Sequence, residues 1–371
     1  MKRIGLIVNP IAGLGGRVGL KGSDGEAIQQ KAFELGAIPH ASDRAVEALK
    51  YLLPMKADFE ILTCPGNMGE IAVIQAGFTP HVIGDVPTDH TTAEDTMRVV
   101  KEMLRYDVSL LMFAGGDGTA CDIYSAGGME VPALGIPAGV KIHSAVYAIH
   151  PRAAGELARA FLQKKVELIL AEVVDLDEEA FRQGSVSPRL VGYLRVPYLN
   201  RYVQGVKVSS TRTSSASVKA IAEDISERME PGTIYIFGPG STTQAITSYL
   251  GMGKTLLGVD AYLDGKLIAS DANESGLLEI SASNRPIEIV VTPIGGQGCI
   301  FGRGNQQISP EIIRKVGREH ILIVCAPEKL DALKGRPLWV DSGDYEVDKI
   351  LSGYLPIITG YKEYAMYKVA S

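Results

Sequence analysis

No apolar run in this chain of 371 residues approaches the roughly 18 to 20 residues that a membrane helix needs. The first residues, Met1-Lys2-Arg3-Ile4, open like a secretory leader, but Asn9-Pro10 breaks the apolar stretch well short of the about 7 to 15 residues such a leader requires. That stretch reads instead as a buried first strand, and a cytoplasmic protein is expected. Cysteine is scarce. Cys64, Cys121, Cys299 and Cys325 stand far apart with no Cys-x-x-Cys pair, which rules out a disulfide framework and gives poor spacing for zinc. Basic clusters are missing too. Lys and Arg number 37 against 43 Asp and Glu, for a net charge of −6, so no nucleic-acid face is expected. No Gly-x-Gly-x-x-Gly follows the first strand, because Pro10 and Ile11 disturb the spacing in Asn9-Pro10-Ile11-Ala12-Gly13. That sets aside the dinucleotide fingerprint of a dehydrogenase. Repeats and low-complexity tracts are absent, and His40, His81, His90, His150 and His320 receive no role.

Glycine is what the chain has in excess, 41 residues in all, or about 11% against a usual 7%. The glycines cluster, which marks places where backbone turns tightly or approaches a ligand. Over the first 150 or so residues, short apolar runs alternate with amphipathic stretches, the pattern of an α/β layer fold. Strands are expected at 3–8, 59–64, 110–114 and 133–136. A helix opens at Ser42-Asp43-Arg44-Ala45, and another at the capping box Thr91-Thr92-Ala93-Glu94-Asp95. Beyond about residue 165, strands dominate: 167–174, 190–196, 233–237, 255–262, 266–269, 277–281 and 287–292, then 321–325 and 362–369. Helices are expected there chiefly at 214–229 and 241–250. The length suits two domains: an α/β, Rossmann-like domain over 1–160, a mainly β domain over 161–325, and an extension over 326–371 packing back on the core. Sheet edges in the second domain suggest a homo-oligomer.

The run Leu110 to Ala114 ends in Gly115-Gly116-Asp117-Gly118-Thr119. Glycines at a helix N-terminus expose backbone N–H groups that suit an anion. An Asp placed among them would repel phosphate. It makes sense if it binds Mg²⁺ or takes a proton from a hydroxyl attacking that phosphate, and otherwise if it caps the helix. The GGDGT sequence after a hydrophobic strand resembles the signature of the superfamily of NAD kinases, diacylglycerol and sphingosine kinases and 6-phosphofructokinases. The resemblance implies that Gly115, Gly116, Gly118 and Thr119 hold the phosphate donor and that Asp117 activates the acceptor hydroxyl as general base.

Asn9-Pro10-Ile11-Ala12-Gly13 resembles the NPxxG loop of the same superfamily, which adds Asn9 and Gly13 to the phosphate side. Gly238-Pro239-Gly240-Ser241-Thr242 resembles the NAD-kinase segment TPTGSTAY, which implies acceptor-binding roles for Gly240, Ser241 and Thr242. Lipid kinases of the superfamily lack this segment. At Leu170-Ala171-Glu172-Val173-Val174 the chain departs from the family's LNEVVI. Glu172 is kept for the acceptor, while Ala171 replaces an Asn, removing an amide that recognises ribose or base. Two long glycine loops, 135–144 and 293–306, resemble a long-form, ATP- or polyphosphate-dependent branch of the NAD kinases. Lys141 and His143 on the first loop follow a strand end, where either could touch donor phosphate. Arg303 on the second could be the charge partner of an anion cradle, or the loop could be a plain glycine-rich turn.

The resemblance implies a two-domain NAD kinase-like architecture and phosphoryl transfer from ATP or inorganic polyphosphate to the 2′-hydroxyl of NAD, with Mg²⁺ or another divalent cation. The metal ligands stay unassigned. Two other readings stand beside it: the same chemistry on a different small hydroxyl compound, and a non-catalytic nucleotide-binding regulator.

Overall fold

The computed structural model describes residues 2–20, 22, 25–85, 91–140, 142–176, 188–199, 202, 215–294 and 298–371. The chain forms two compact units, Met1–Leu14 with Gly22–Val206, and Gly15–Lys21 with Lys207–Ser371.

The first unit runs β1 (Lys2–Val8), α1 (Glu26–Glu34), α2 (Ala41–Lys50), β2 (Phe59–Thr63), α3 (Glu70–Gln75), β3 (Pro80–Val82), α4 (Ala93–Leu104), β4 (Leu110–Gly115), α5 (Asp117–Ser125), β5 (Ala133–Pro137), α6 (Pro151–Leu162), β6 (Glu167–Leu176) and β7 (Pro188–Tyr198). Five parallel strands make its main sheet in the order β3-β2-β1-β4-β5. Every residue of β4 and β5 is buried, as expected of parallel strands covered on both faces. The expected box opens α4. Thr92 N–H donates to Asp95 Oδ2 at 2.9 Å, and Asp95 N–H returns to Thr92 Oγ1 at 3.3 Å. α2 and α6 approach so closely that a Cβ on Gly155 would lie 2.2 Å from the Ala48 carbonyl oxygen. β6 and β7 form a separate antiparallel pair with a bulge between Val173 and Val174.

The second unit runs α7 (Ser215–Arg228), β8 (Ile234–Phe237), α8 (Ser241–Tyr249), β9 (Asp260–Leu263), β10 (Lys266–Ala269), α9 (Glu274–Ser281), β11 (Ile287–Val291), β12 (Cys299–Phe301), α10 (Pro310–Val316), β13 (Ile321–Val324), α11 (Pro327–Asp331), β14 (Leu338–Val340), α12 (Tyr345–Leu351), β15 (Gly353–Gly360) and β16 (Glu363–Ala370). A nine-stranded sheet carries it, ordered β10-β9-β8-β11-β13-β15-β16-β14-β12, so the expected strand-built second domain is present. Its centre, β8-β11-β13-β15, is parallel. Along β8, Ile234 and Ile236 join one apolar core while Tyr235 and Phe237 join another. Strands buried on both sides need crossover helices, which is why this unit carries more helix than its strand-rich sequence suggests. Residues 277–281, expected as a strand, lie in α9, whose first turn is capped by Asn273 accepting from Gly276 N–H at 2.9 Å. Of the strand expected at 255–262, only Asp260 onward is extended.

Candidate active site

In the first unit the strand order reverses direction between β1 and β4. Open α/β sheets hold ligands at such a switch point, beyond the carboxyl ends of the strands. Two of the loops singled out from sequence leave the sheet there. The 9–14 loop follows β1, and Gly116 links β4 to α5. They are tied together at both backbone and side-chain level. Asn9 N–H donates to Ala114 O at 2.9 Å, and the Asn9 amide donates to Thr119 Oγ1 at 3.0 Å while its carbonyl accepts from Ile11 N–H at 3.2 Å. Thus Asn9 and Thr119 clamp one loop to the other. Gly115 has to be a glycine, because a Cβ there would lie 2.4 Å from Thr119 Oγ1.

Asp117 is the first residue of α5, after Gly116 as N-cap, and it makes no capping bond to its own helix. Instead it reaches the loop after β5. Its Oδ2 accepts from His143 N–H at 2.8 Å and its Oδ1 from Ser144 N–H at 2.9 Å. The His143 imidazole Nδ1 lies 3.4 Å from Oδ2, with both side chains under a tenth exposed. Because both oxygens face N–H donors, capping is excluded and the carboxylate is held rigidly at the strand ends.

The loop that supplies these donors is anchored in turn. Ser144 is fully buried, and its hydroxyl donates to Val174 O at 3.1 Å and accepts from Val174 N–H at 2.9 Å. The bulge in β6 falls at this residue. Ala145 N–H donates to Glu172 O at 2.8 Å. Tyr147 packs edge-on to Phe113 and donates to Gly116 O at 2.5 Å, its ring filling space that a Cβ on Gly135 would occupy at 2.3 Å. Ser144 and Tyr147 were missed from sequence, where the only sign was Gly135, a glycine inside a buried strand.

Gly118 is exposed with open space around it, whereas Gly139 lies against Gly116, where an added Cβ would come within 2.8 Å of the Gly116 Cα. At Gly13, φ is 78° and a Cβ would fall 2.1 Å from Ala138 O. Gly13→Ala should therefore cost about 2 kcal/mol or more of stability, from left-handed strain plus the backbone clash. Chemical denaturation would read it, and a change under about 0.5 kcal/mol, the level of an unremarkable surface substitution, would show that the loop yields freely. Lys141 lies outside the described residues. Cys121, one turn along α5, is no nucleophile: burial first, then the Asp175, Asp117 and Asp122 carboxylates, push its thiol up to about 12.

On β6, Ala171 and Glu172 point to opposite faces. Ala171 is buried opposite Leu194, and Glu172 is paired with Tyr193 on the more open side. In the second unit, Gly240 has φ 130° and caps α8, and its N–H donates to Leu256 O at 2.9 Å. Ser241 is exposed. Thr242 is 2% exposed, and its hydroxyl has no hydrogen-bond partner among the described residues. Arg303 sits on a turn built around Asn305, which is fully buried and ties Gly302 N–H to Ile300 O. No described hydrogen bond joins that turn to Gly240–Thr242. Residues 295–297 of the long glycine loop lie outside the described residues. Among the described residues, no three or more His, Cys, Asp or Glu side chains are grouped so as to hold a metal ion, and no helix is long and apolar enough to cross a membrane.

A family model described as the ATP-NAD kinase N-terminal domain matches residues 4–166, and one described as the ATP-NAD kinase C-terminal domain matches residues 233–369. No curated protein and no solved structure matches the chain. The two family matches take in about four fifths of the sequence, the first containing the Asp117 site and the second the GPGST turn. With two domain matches in the family's own order, the chain belongs to the NAD kinase-like family of phosphotransferases.

Proposed function

We propose that the protein transfers a phosphoryl group from ATP or inorganic polyphosphate to the 2′-hydroxyl of the adenosine ribose of NAD, giving NADP. The observation that carries this reading is the Asp117 carboxylate, fixed by two backbone N–H groups at the β1/β4 switch point. As the acceptor oxygen attacks phosphorus, its O–H bond breaks and Asp117 takes the proton. The new O–P bond forms as the bond to the leaving phosphate oxygen breaks. The leaving group is ADP or a polyphosphate shortened by one unit.

Gly115 at the end of β4, the N-cap Gly116, and Gly118 and Thr119 in the first turn of α5 would hold the donor phosphate, where the helix dipole favours negative charge. Asn9 and Gly13 fix the facing loop, and Lys141 would add a cation. Glu172, Gly240, Ser241, Thr242 and Arg303 are assigned to the acceptor. The unpartnered Thr242 hydroxyl supports that role, because buried polar groups normally have a partner. A divalent cation neutralises charge on the donor's phosphate oxygens in such reactions.

Ala171 is the ground for the second reading, a different small hydroxyl compound as acceptor. Ala171 is buried opposite Leu194, on the face away from Glu172, so the missing amide leaves the Glu172 side unaltered. The test is NADP⁺ formation by purified protein with NAD⁺, Mg²⁺ and either ATP or polyphosphate. Turnover is expected with at least one donor. If ATP binds but neither donor yields NADP⁺, NAD is not the acceptor.

A further inference from the structure

We infer that the proton taken by Asp117 passes to the imidazole of His143, so that the two side chains form a proton relay within a buried site. This rests on the phosphotransfer reading above and assigns the proton's next step. Asp117 is 8% exposed, and backbone N–H groups already occupy one position on each of its oxygens. Each turnover leaves a proton on this carboxyl, and it has to leave before the next. His143 brings its backbone N–H and its Nδ1 to the same oxygen, at 2.8 and 3.4 Å.

The other described histidines are placed differently. His150 caps α6 by accepting from Ala153 N–H, and His81 lies edge-on to Tyr106. His40 beside Asp43 and His320 beside Glu288 have ring exposures of 40% and 46%, against 7% for His143. Among the described residues, the titratable groups on the 142–147 loop and on the elements beside it include His143 and Tyr147 on the loop, Asp117, Cys121, Asp122 and Tyr124 on α5, and Glu172 and Asp175 on β6, the last paired to Arg189 of β7 at 3.1 Å. His143 is the one imidazole among them, the side chain whose ordinary titration range spans neutral pH.

In the relay, the O–H bond formed on Asp117 Oδ2 breaks as an N–H bond forms on Nδ1 of neutral His143, whose Nε2 already carries a proton. The imidazolium then loses its Nε2 proton to water, and exchange of the ring tautomer with water restores Nδ1 as the acceptor, so no other co-reactant is needed. Tyr147, Ser144 and the β6 bulge position this loop but do not carry the proton.

Two measurements decide it. The first follows the His143 imidazole by NMR against pH in wild type and Asp117→Asn, with the resonance assigned through His143→Gln, and needs no turnover. The wild-type imidazole should titrate higher than that of Asp117→Asn, because the facing carboxylate favours its charged form. Identical midpoints overturn the relay. The second compares kcat and KM of wild type, His143→Ala and His143→Gln, both of which keep the backbone donor to Asp117. Turnover should fall about 10- to 100-fold with KM within about threefold, and added imidazole should restore several-fold activity to His143→Ala, as expected when a proton-transfer group has been removed. Loss without rescue, or turnover within twofold of wild type in both variants, overturns it. A wild type that makes no NADP, yet shows the titration difference, loses NAD as acceptor and keeps the relay. Its kinetics are then read on phosphoryl release from ATP.

Discussion

Asp117→Asn should lower turnover by about 10² to 10⁴-fold, the range usual for removing a general base, while leaving the fold standing. The amide has nearly the same shape, so the strand end, the α5 start and the loop after β5 keep their places. One contact cannot be kept. Asp117 offers an acceptor oxygen to each of His143 N–H and Ser144 N–H, and an amide has only one oxygen. Its NH₂ must face the other donor, leaving a buried N–H unsatisfied at a cost of about 1–3 kcal/mol. The melting temperature should therefore drop modestly, and activity has to be compared well below it. Steady-state kinetics beside a thermal melt separate the two effects. If the variant keeps more than a tenth of wild-type kcat at matched folded fraction, Asp117 is not the proton acceptor, and its role reduces to holding the 143–144 turn.

The largest loss of stability from a single substitution is expected in the second unit, at Asp260→Ala. Asp260 and Lys254 form an ion pair at 3.3 Å with side chains 1% and 0% exposed. Asp260 Oδ1 accepts from Asp271 N–H at 2.7 Å. Its Oδ2 accepts from Thr255 N–H at 2.9 Å and from the Thr255 hydroxyl at 2.7 Å. Lys254 donates in addition to the carbonyls of Thr255 and Gly258, both at 2.8 Å. Removing the carboxylate leaves a dry ammonium and three donors without their acceptor, a change typically worth about 3–5 kcal/mol. Against the about 5–15 kcal/mol that a whole protein usually has, that brings the unit close to unfolding.

The same network braces the Gly240–Thr242 turn, because Gly240 N–H rests on Leu256 O, the residue after Thr255. On the proposed reading of that turn as part of the acceptor site, weakened NAD binding should accompany the loss of stability. Denaturant unfolding of Asp260→Ala, of Lys254→Met and of the double variant checks this, with the double variant less damaged than the sum of the singles. A loss under about 1 kcal/mol for Asp260→Ala, in the range of an exposed pair, would mean that water reaches the pair in solution.

The alternating pattern of the first unit and the GGDGT turn were legible because each depends on residue type at short spacing. The partners of Asp117 were not. They lie 26 and 27 residues on and act through backbone N–H groups, which every residue but proline carries and no sequence pattern marks. Ser144 and the bulge that receives it were hidden for the same reason. Residues 277–281 misled because Leu277-Leu278-Glu279-Ile280-Ser281 is too short for its three apolar residues to set a period. What decides it is Asn273 upstream, whose side chain starts a helix. Residues 255–259 read as strand from their apolar members, but Thr255 and Gly258 are bent around Asp260. In that bend a Cβ on Gly258 would lie 2.3 Å from Asp271 Oδ1.

The path of the chain near its start bears on how the protein is made. Gly15–Lys21 belongs to the second unit although β1, just before it, belongs to the first. Arg17 O accepts from Glu274 N–H at 2.9 Å, and its guanidinium lies 3.9 Å from the Glu274 carboxylate. In the order of synthesis this segment precedes its partner by more than 250 positions. The strands of the first unit's five-stranded sheet, all within residues 2–137, are therefore made well before the partner that fixes Gly15–Lys21 in the second unit. A chain interrupted anywhere before Glu274 leaves that loop unsatisfied, giving quality-control proteases a ready place to cut an unfinished product.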